Sequence, residues 1–517
     1  MPDVSAIDIE VADTEWMDVS PDFTPQRHDF SGGGGINFDD TDFKEIDYVS
    51  QFLDDEFWSL VATEKNRKAY QFFEGEPTLG PRSIFRSWYE TNPEEMRKFI
   101  GLILLMGLVK KPRWRQYWSK DPLIYMPTFQ AIMDRNRYEM IMKFFHFSNN
   151  ENEPPRDGPN RDRLYKIRPL VQHFSAVFSQ AFTPLQDICI DESLLLYKGR
   201  IIFKQYIPLK RARFGIKIFC LTDSNGYLHS FRIYSGKDDP VTNLDNDIPQ
   251  ECRDMSVTAK TTLALMKKFL NKGYHLFIDN WYTSVPLLEF LHGMQTMCTG
   301  TARANRVPRE LKNSKVPKGQ IKSMTKGPLL AQKFEDKKTV YMMTTSHGTE
   351  TVSKLRHGGQ ERTIPKSIDT YNKNMGGVDQ IDQMLEPYDA TCKTVRWYVK
   401  LAIHLIQIAI LNGSTLFRKR GGQKDFYTFS RNVVAAFVFR DGVIPTLENE
   451  DLTRLTARHF IYEIPPTQGK LRPQKRCKVC YKTGRRRDTR FYCPSCPSKP
   501  GLCLGECFEK YHTKESL

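Results

Sequence analysis

Two aspartates of this 517-residue chain lie at positions where an α/β fold usually performs its chemistry. Asp279 follows the apolar run 274–278, which predicts a short buried strand. Asp191 lies within a second predicted strand, 187–196. Because an unpaired carboxylate is costly to bury, a metal ion or an arginine would have to offset its charge. The alternative for Asp279 alone is a helix N-cap or a loop carboxylate.

A third segment adds two further acids. Asp379 and Asp382 lie three residues apart in 374–385, which predicts a helix with both carboxylates on one face. The preceding Gly376-Gly377 suits a helix entry close to another backbone. Three or four such acids in a basic protein predict a two-metal phosphoryl-transfer site that uses two Mg²⁺ (or Mn²⁺) ions. The alternative is that this last pair is solvated on an exposed helix face.

The elements that would position these acids follow a defined order. Apolar periodicity predicts strand, strand, strand, helix, strand, helix and strand over 187–196, 214–223, 228–234, 259–271, 276–278, 285–292 and 296–302. This is the connectivity of a ribonuclease H-like α/β core. The first and fourth strands of such a core are neighbours, so Asp191 and Asp279 are expected to lie side by side.

Charge is distributed unevenly along the chain. Residues 1–56 contain sixteen acidic residues against Arg27 and Lys44, whereas the whole chain carries a net charge of +15. We therefore expect a disordered acidic N-terminal region and a basic folded body that binds a polyanion, most simply double-stranded DNA. The chain shows no signal peptide, and its longest apolar run, 399–411, is shorter than a membrane span, so no membrane association is expected.

The segment 475–517 is rich in metal-ligand side chains. Its ligands are Cys477, Cys480, Cys493, Cys496, Cys503, Cys507 and His512. Paired Cys-x-x-Cys elements at this spacing predict zinc rather than disulfides in an intracellular chain. Seven ligands are one short of two tetrahedral sites, so we expect two Zn²⁺ ions. The spacing does not identify the eighth ligand, for which His459 is a candidate.

The loop between the first two cysteine pairs is basic. Arg485, Arg486 and Arg487 follow one another there. Such a run predicts contact with DNA or with a histone tail, hence with chromatin, and is also typical of nuclear import signals. We therefore expect a nuclear protein.

Four segments resemble the motifs of the piggyBac-like (piggyBac element-derived) DDE/DDD transposases. They are ICIDESLLLYKGR, LFIDNWYTSVPLL, NMGGVDQIDQML and VRWYVKLAIHL. The resemblance runs from about residue 57 to the C-terminus. It implies that Asp191, Asp279 and Asp379 are the catalytic, Mg²⁺-binding triad and that Asp382 is a further required acid.

The resemblance also implies that Trp397 lies near the active site. We expect it to contact DNA together with Arg303 and Arg306, which follow the last predicted core strand.

A domain arrangement follows from the same resemblance. Helical regions on both sides of the core would form one split dimerisation and DNA-binding domain, and a cross-braced zinc module would end the chain. The expected parts are a disordered region 1–56, helical parts 57–185 and 391–464, core parts 186–303 and 366–390, an insertion domain 304–365, a linker 465–474 and the zinc module 475–517.

The function implied is that of a cut-and-paste DNA transposase acting as a homodimer or higher oligomer. It would cleave DNA at the terminal repeats of a transposon, form hairpin ends, insert at TTAA and excise without a footprint. Two alternatives remain open at this point. One is a domesticated DNA- or chromatin-binding protein without cleavage activity, and the other is a zinc-module ubiquitin ligase, which would explain only the C-terminal segment.

Overall fold

The computed structural model of the chain describes residues 15–20, 23–155, 158, 161–208, 210, 212–236, 244–355, 361–391, 394–439, 442, 458–467, 469–496 and 498–514. The chain divides into two compact units, Met1–Val443 and Ile444–Leu517.

Helices of the first unit occur on both sides of a central run of strands. The α-helices are α1 (Glu45–Ser50), α2 (Asp55–Glu74), α3 (Pro93–Leu108), α4 (Pro127–Ile132), α5 (Arg135–Phe144), α6 (Arg168–Ala181), α7 (Val257–Met266), α8 (Val285–Gly293), α9 (Arg309–Asn313), α10 (Lys366–Asn374), α11 (Gly377–Leu385), α12 (Trp397–Lys419) and α13 (Phe426–Val438).

The strands of this unit begin close to its N-terminus. They are β1 (Met17–Asp18), β2 (Gly35–Ile36), β3 (Phe182–Thr183), β4 (Asp187–Leu196), β5 (Gln205–Tyr206), β6 (Phe214–Asp223), β7 (Leu228–Ile233), β8 (His275–Ile278), β9 (Met297–Thr301), β10 (Ile321–Lys326), β11 (Leu329–Glu335), β12 (Thr339–Thr344), β13 (Thr351–Leu355) and β14 (Glu361–Pro365).

Ten of these strands form one mixed sheet. Its order is β1-β10-β11-β12-β9-β8-β4-β6-β5, and β7 also pairs with β6. The pairs β4–β8 and β8–β9 are parallel, and every residue of β8 is buried. A parallel pair covered by helices on both faces needs such an uninterrupted apolar strand. The predicted order of core strands and helices is confirmed.

Most strands of the predicted insertion domain, 304–365, belong to the central sheet. Strands β10, β11 and β12 continue the central sheet, because β12 pairs antiparallel with the free edge of β9. Met324, Leu329 and Ala331 share one apolar core with strand β8. Strands β13 and β14 pair antiparallel with each other in a separate two-stranded sheet. Burying the edge of β9 removes a row of unpaired backbone groups, which local periodicity does not reveal.

Helices from both ends of the unit pack in one core. Trp58 of α2 meets Phe437 of α13 with ring centroids 5.4 Å apart. Helix α12 is long and apolar enough to cross a membrane by length and composition, but 94% of its apolar window is buried inside the protein. It is the central core helix of this unit, and Asn412 within it hydrogen-bonds both backbone groups of Leu228 on β7.

The described part of the acidic N-terminal region is ordered, so the prediction of disorder was wrong for 15–20 and 23–56. Residues 1–14 and 21–22 of that prediction lie outside the described residues. Val49 and Phe52 are fully buried. Gly32 lies so close to Tyr274 that a Cβ there would meet the ring at 2.6 Å.

Charge pairing holds the same segment in place. Asp40 Oδ1 lies 2.7 Å from Arg420 Nη2, and Glu45 pairs with Lys424. These basic groups follow the C-terminal end of helix α12, so the acids neutralise a local positive charge. The acidic composition suggested disorder because these partners are almost 400 residues away in sequence.

The second unit is small and contains mostly short elements. They are β15 (Tyr462–Glu463), β16 (Lys475–Arg476), α14 (Lys478–Lys482), β17 (Asp488–Thr489), β18 (Phe491–Tyr492) and α15 (Glu506–Thr513). Strand β15 pairs with β18, so residues 462–463 belong to this unit. The sequence-based prediction had assigned them to the helical region 391–464. The boundary was misplaced because a two-residue strand carries no periodic signal.

The packing of the N-terminal segment leads to a stability prediction. Phe52→Ala should lower the free energy of unfolding of the first unit by about 3–5 kcal/mol, because it removes a fully buried ring that contacts Phe178 and Tyr227. Urea unfolding followed by tryptophan fluorescence measures this, since all seven tryptophans lie in that unit. Ser50→Ala, at an exposed neighbour, is the control. Equal midpoints for both variants would show that the segment does not pack in solution.

Candidate active site and Cys/His clusters

Adjacent parallel strands place the first two aspartates. Ile190 of β4 pairs with Ile278 of β8, so Asp191 and Asp279 occupy the next position of the same register. Asp191 lies inside β4, whereas Asp279 follows the end of β8, where a parallel sheet opens to solvent. The sequence-based expectation that these two residues lie side by side is met by the sheet order.

Backbone N–H groups donate to both carboxylates. Asp191 Oδ1 accepts from Glu192 N at 2.8 Å, and Asp279 Oδ1 accepts from Trp281 N at 2.9 Å. Burial nevertheless raises the pKa of the Asp191 carboxyl to about 7, and the Glu192 carboxylate adds to the rise. Burial also raises the pKa of Asp279, against the opposing effect of the Trp281 N–H. Negative charge is therefore only partly compensated here.

Helix α11 packs closely against β4 and β6, and glycine at its first position makes this close approach possible. A Cβ at Gly377 would meet the Asp223 carbonyl oxygen and the Thr222 hydroxyl at 2.3 Å, and Cys189 Sγ at 3.1 Å. Of the two adjacent glycines, only Gly377 makes such an approach, since nothing lies within 4 Å of a Cβ at Gly376. Close backbone contact brings the acids of α11 to the strand that carries Asp191.

The two acids of α11 occupy different surroundings. Asp382 Oδ1 accepts a 2.6 Å hydrogen bond from Ser193 Oγ, and burial raises the pKa of this carboxyl. The Asp379 side chain is 61% exposed, and its Oδ1 lies 3.7 Å from Lys210 Nζ. Asp382 is thus anchored to β4, whereas Asp379 pairs with Lys210 and faces solvent.

Lys210 is a site residue that the sequence analysis missed. Its Nζ donates to the Glu192 carbonyl oxygen at 3.1 Å. Burial alone would lower the pKa of Lys210, but the carboxylates of Asp191, Asp379 and Asp382 outweigh it and raise the pKa. A firmly protonated ammonium therefore lies among the acids. The sequence signal that could have revealed it is the basic run 210–213, in which it lies.

A second missed cluster supports the loop after Asp279. Tyr282 Oη donates to Glu192 Oε2 at 3.1 Å, and Lys217 Nζ lies 3.8 Å from the same oxygen. The same Nζ is 3.8 Å from the centre of the Trp281 ring, a cation–π contact. Burial lowers the pKa of Lys217. The sequence signal that could have revealed this cluster is the presence of two charged residues, Glu192 and Lys217, within predicted buried strands.

The donor set fits a hard divalent cation. Carboxylate oxygens are the ligands that Mg²⁺ prefers, and raised carboxyl pKa values mark negative charge that a cation would neutralise. Within the described ranges, the groups of three or more donor atoms within 4.8 Å of one another do not include the four aspartates of the site. The Lys210 ammonium interacts with Asp191, Asp379 and Asp382, and its Nζ lies 3.7 Å from Asp379 Oδ1.

The residues expected to contact DNA near this site differ in exposure. Arg306 Nη1 donates to the carbonyl oxygens of Thr283 at 2.6 Å and Trp281 at 3.1 Å, so this guanidinium holds the loop after Asp279. Arg303 Nε donates to the Asn280 side chain at 3.3 Å in an exposed contact.

Trp397 begins helix α12 and is only half-buried. Its ring lies 5.4 Å from that of Phe203, in an edge-to-face contact. Tyr197 Oη donates to the carbonyl oxygen of Val395 at 2.6 Å, which ties the start of this helix to the segment that follows strand β4.

The second unit gathers its cysteines and histidines into two groups of four. The donor atoms of each group lie within 4.8 Å of one another. One group is Cys477, Cys480, Cys503 and Cys507, and the other is His459, Cys493, Cys496 and His512. The groups interleave along the chain, which is a cross-braced arrangement. The predicted seven ligands thus fall into two sets, and His459 occupies the eighth position.

Their spacing suits tetrahedral zinc. Cys480 Sγ lies 4.0 Å from Cys503 Sγ and 3.6 Å from Cys507 Sγ. A tetrahedron with Zn–S bonds of about 2.3 Å has edges of about 3.8 Å. His512 Nδ1 lies 2.7 Å from the Phe508 carbonyl oxygen, so its Nε2, 3.5 Å from Cys496 Sγ, is left with the lone pair. Arg485, Arg486 and Arg487 are all exposed in this unit.

Comparison with known families and proteins agrees with this arrangement. A family model described as Transposase IS4 matches residues 44–414, and one described as a DDE_Tnp_1-like zinc finger matches residues 458–513. The human PiggyBac transposable element-derived protein 3 is 28% identical over 484 residues, which cover 90% of this chain and 75% of that protein. The human PiggyBac transposable element-derived protein 2 is 27% identical over 406 residues, covering 75% of this chain and 64% of that protein.

A solved structure shares the fold. The cryo-EM structure of the piggyBac transposase synaptic complex with hairpin DNA matches with a TM-score of 0.70 at 23% identity, covering 91% of this chain and 97% of that one. The family model spans more than two thirds of the chain and includes Asp191, Asp279, Asp379 and Asp382. The chain belongs to the Transposase IS4 family, and within it to the piggyBac-type transposases.

Proposed function

We propose that this protein is a metal-dependent DNA transposase that cleaves DNA strands at transposon ends and joins them to TTAA targets, excising without a footprint. The observation that carries the proposal is the arrangement of its acids. Neighbouring parallel strands carry Asp191 and Asp279, and helix α11 brings Asp379 and Asp382 against the same strand. We infer that this part of the chain is a ribonuclease H-like core with two flanking helical regions, which its strand order supports.

Two Mg²⁺ or Mn²⁺ ions would be held by Asp191, Asp279 and Asp379. When bound, such ions supply charge stabilisation for the attacking and leaving oxygens of an in-line phosphoryl transfer. Asp382, fixed by Ser193, keeps helix α11 in register with β4. The Lys210 ammonium lies where it stabilises negative charge on a scissile phosphate.

Residues around the loop after Asp279 maintain its position. Arg306 binds three of its carbonyl oxygens, and the Trp281 N–H donates to the carboxylate itself. Glu192 and Tyr282 link this loop to β4 through one hydrogen bond. Holding the two strand-borne carboxylates at a fixed separation is what preorganisation of such a site requires.

DNA is the substrate that the charge distribution favours. The chain carries a net charge of +15, and two acids of its N-terminal region, Asp40 and Glu45, are paired with Arg420 and Lys424. We propose that Trp397, Arg303 and the exposed Arg485, Arg486 and Arg487 contact DNA, and that the protein acts in the nucleus. Cutting both ends of an element requires at least two active sites, so we propose a homodimer or larger assembly.

A second candidate function is DNA or chromatin binding without cleavage. The curated relatives are human proteins described as derived from a transposable element. Asp379 is paired with the Lys210 ammonium, which competes with a metal ion for this carboxylate. Strand cleavage therefore has to be measured directly, and its absence together with intact DNA binding would favour this function.

Mutation of the first strand-borne acid tests the cleavage proposal. Asp191→Asn should lower the rate of strand cleavage by on the order of 100- to 1,000-fold, because it removes charge that holds the metal ions without changing side-chain volume. The assay is metal-dependent excision from a plasmid carrying the DNA that flanks the coding sequence. Asp187→Asn, at the start of the same strand, is the matched control and should leave cleavage near the unmodified level. Unchanged cleavage by the Asp191 variant would refute the assignment.

The zinc proposal predicts a stoichiometry. The unmodified chain should contain two zinc ions, and His459→Asn should contain one, because only the group with Cys493, Cys496 and His512 loses a ligand. Native mass spectrometry counts the ions. His28→Asn, a histidine outside both groups, should retain two. If the His459 variant kept two zinc ions, a different side chain would complete the second site.

The arginine run predicts a loss of electrostatic DNA affinity. Replacing Arg485, Arg486 and Arg487 by Gln should weaken duplex binding and reduce the slope of log K against log salt by up to about 2.7, since each phosphate contact contributes about 0.9. Fluorescence anisotropy across a salt series measures both quantities. The exposed pair Lys337→Gln and Lys338→Gln serves as the control. An unchanged slope in the arginine variant would mean that this loop does not face DNA.

A further inference from the structure

Two aromatic rings stand exposed on the strand pair next to the candidate active site. Tyr206 of β5 pairs directly with Phe214 of β6, so both side chains project from the same face of the sheet. Their ring centroids are 4.6 Å apart, and the residues are 56% and 41% exposed. Large rings in contact with each other usually lie in a core, so an exposed pair of this kind marks a binding surface.

The surroundings of this aromatic pair are exclusively basic in sequence. Between Glu192 and Asp223 the chain contains no acidic residue, and its basic residues there are Lys198, Arg200, Lys204, Lys210, Arg211, Arg213 and Lys217. Lys204 Nζ lies 5.9 Å from the centre of the Phe214 ring. The side chains of Lys198, Arg200 and Arg213 are exposed. Exposed aromatic rings beside exposed basic side chains are what a nucleic-acid strand with unstacked bases requires.

The same segment reaches the catalytic acids. Lys210, four residues after Tyr206, places its Nζ 3.7 Å from Asp379 Oδ1. Along β4, Leu196 lies five positions after Asp191, and it pairs with Gly215, the neighbour of Phe214. At about 3.3 Å per residue this distance is about 17 Å. A DNA strand with a base rise of about 3.4 Å covers it in about five nucleotides.

We propose that Tyr206 and Phe214 stack an unpaired base of the DNA strand whose phosphate is held by the catalytic acids, about five nucleotides away. This inference rests on the proposed function, since it assumes DNA at Asp191. Paired bases in a duplex present only their edges, so the ring faces select strands that are unpaired, such as the single-stranded ends produced by staggered cleavage. The rival occupant of the surface is a second copy of this chain.

The test compares two DNA probes with the full-length protein. One is a 20-base-pair duplex with blunt ends, and the other is the same duplex with a 3′ extension of ten thymidines. Anisotropy without added divalent cation should show tighter binding of the extended probe. The double variant Tyr206→Ala/Phe214→Ala should lose about tenfold in affinity for the extended probe, the scale of one base–aromatic stack, and little for the blunt one. A two-nucleotide extension should bind like the blunt probe.

Controls separate stacking from misfolding. Tyr427→Ala removes a comparably exposed ring on α13 and should keep the preference for the extension. Tyr206→Phe preserves the ring face and should also keep it. With the unmodified chain, a 5-iodouracil placed in the extension should crosslink to Tyr206 or Phe214, as mapped by peptide mass spectrometry, so the inference remains testable if the alanine variant is unstable.

The outcomes also distinguish this inference from the proposed function. If neither probe binds, both fail. If the blunt duplex binds and the extension adds nothing, only the stacking surface is refuted. A double variant that retains the preference for the extension but dissociates from dimer to monomer, as measured by light scattering, would overturn the proposal and assign the aromatic pair to a second copy of the chain.

Discussion

Burial of carboxylates is the physical constraint on which the rest of the first unit depends. Asp191 and Asp279 sit on adjacent strands, and helix α11 adds two more acids beside them. The pKa of Asp191, raised to about 7 by burial and by the Glu192 carboxylate, shows that folding leaves this charge partly uncompensated. Such a cluster persists only because the surrounding sheet and helices are stable enough to hold it.

Hydrogen-bond donors and one ammonium group compensate part of the negative charge of these carboxylates. Backbone N–H groups donate to Asp191 and Asp279, a hydroxyl donates to Asp382, and Lys210 supplies a full positive charge. The remaining deficit is suited to divalent cations and to no apolar ligand. The long basic run between Glu192 and Asp223 therefore has two roles, since one of its lysines balances the acids and others are available to the phosphates of a DNA strand.

The second unit meets a related constraint at a smaller scale. Its apolar cluster consists mainly of the cysteines themselves, with Val479, Leu502 and Tyr511. So small a core cannot offset the conformational entropy of the chain, and metal binding normally supplies the missing free energy in modules of this size. The ligands of the two Cys/His groups alternate along the chain. A metal ion in one group therefore fixes chain segments that also carry ligands of the other group, which couples the folding of the two sites.

The sequence by itself determined the elements whose patterns are local. Strand periodicity located Asp191 and Asp279, helical spacing placed Asp379 and Asp382 on one face, and the Cys-x-x-Cys pairs identified the ligand-rich module. Only the tertiary structure decided which distant groups meet. It assigned His459 to the second Cys/His group, placed Lys210 among the acids, joined the strands of 321–344 to the central sheet and ordered the acidic N-terminal region. The physical reason is that hydrophobic periodicity specifies which face of an element is buried, whereas ion pairs, metal ligands and sheet edges select partners across the whole chain through close contacts that no local pattern encodes.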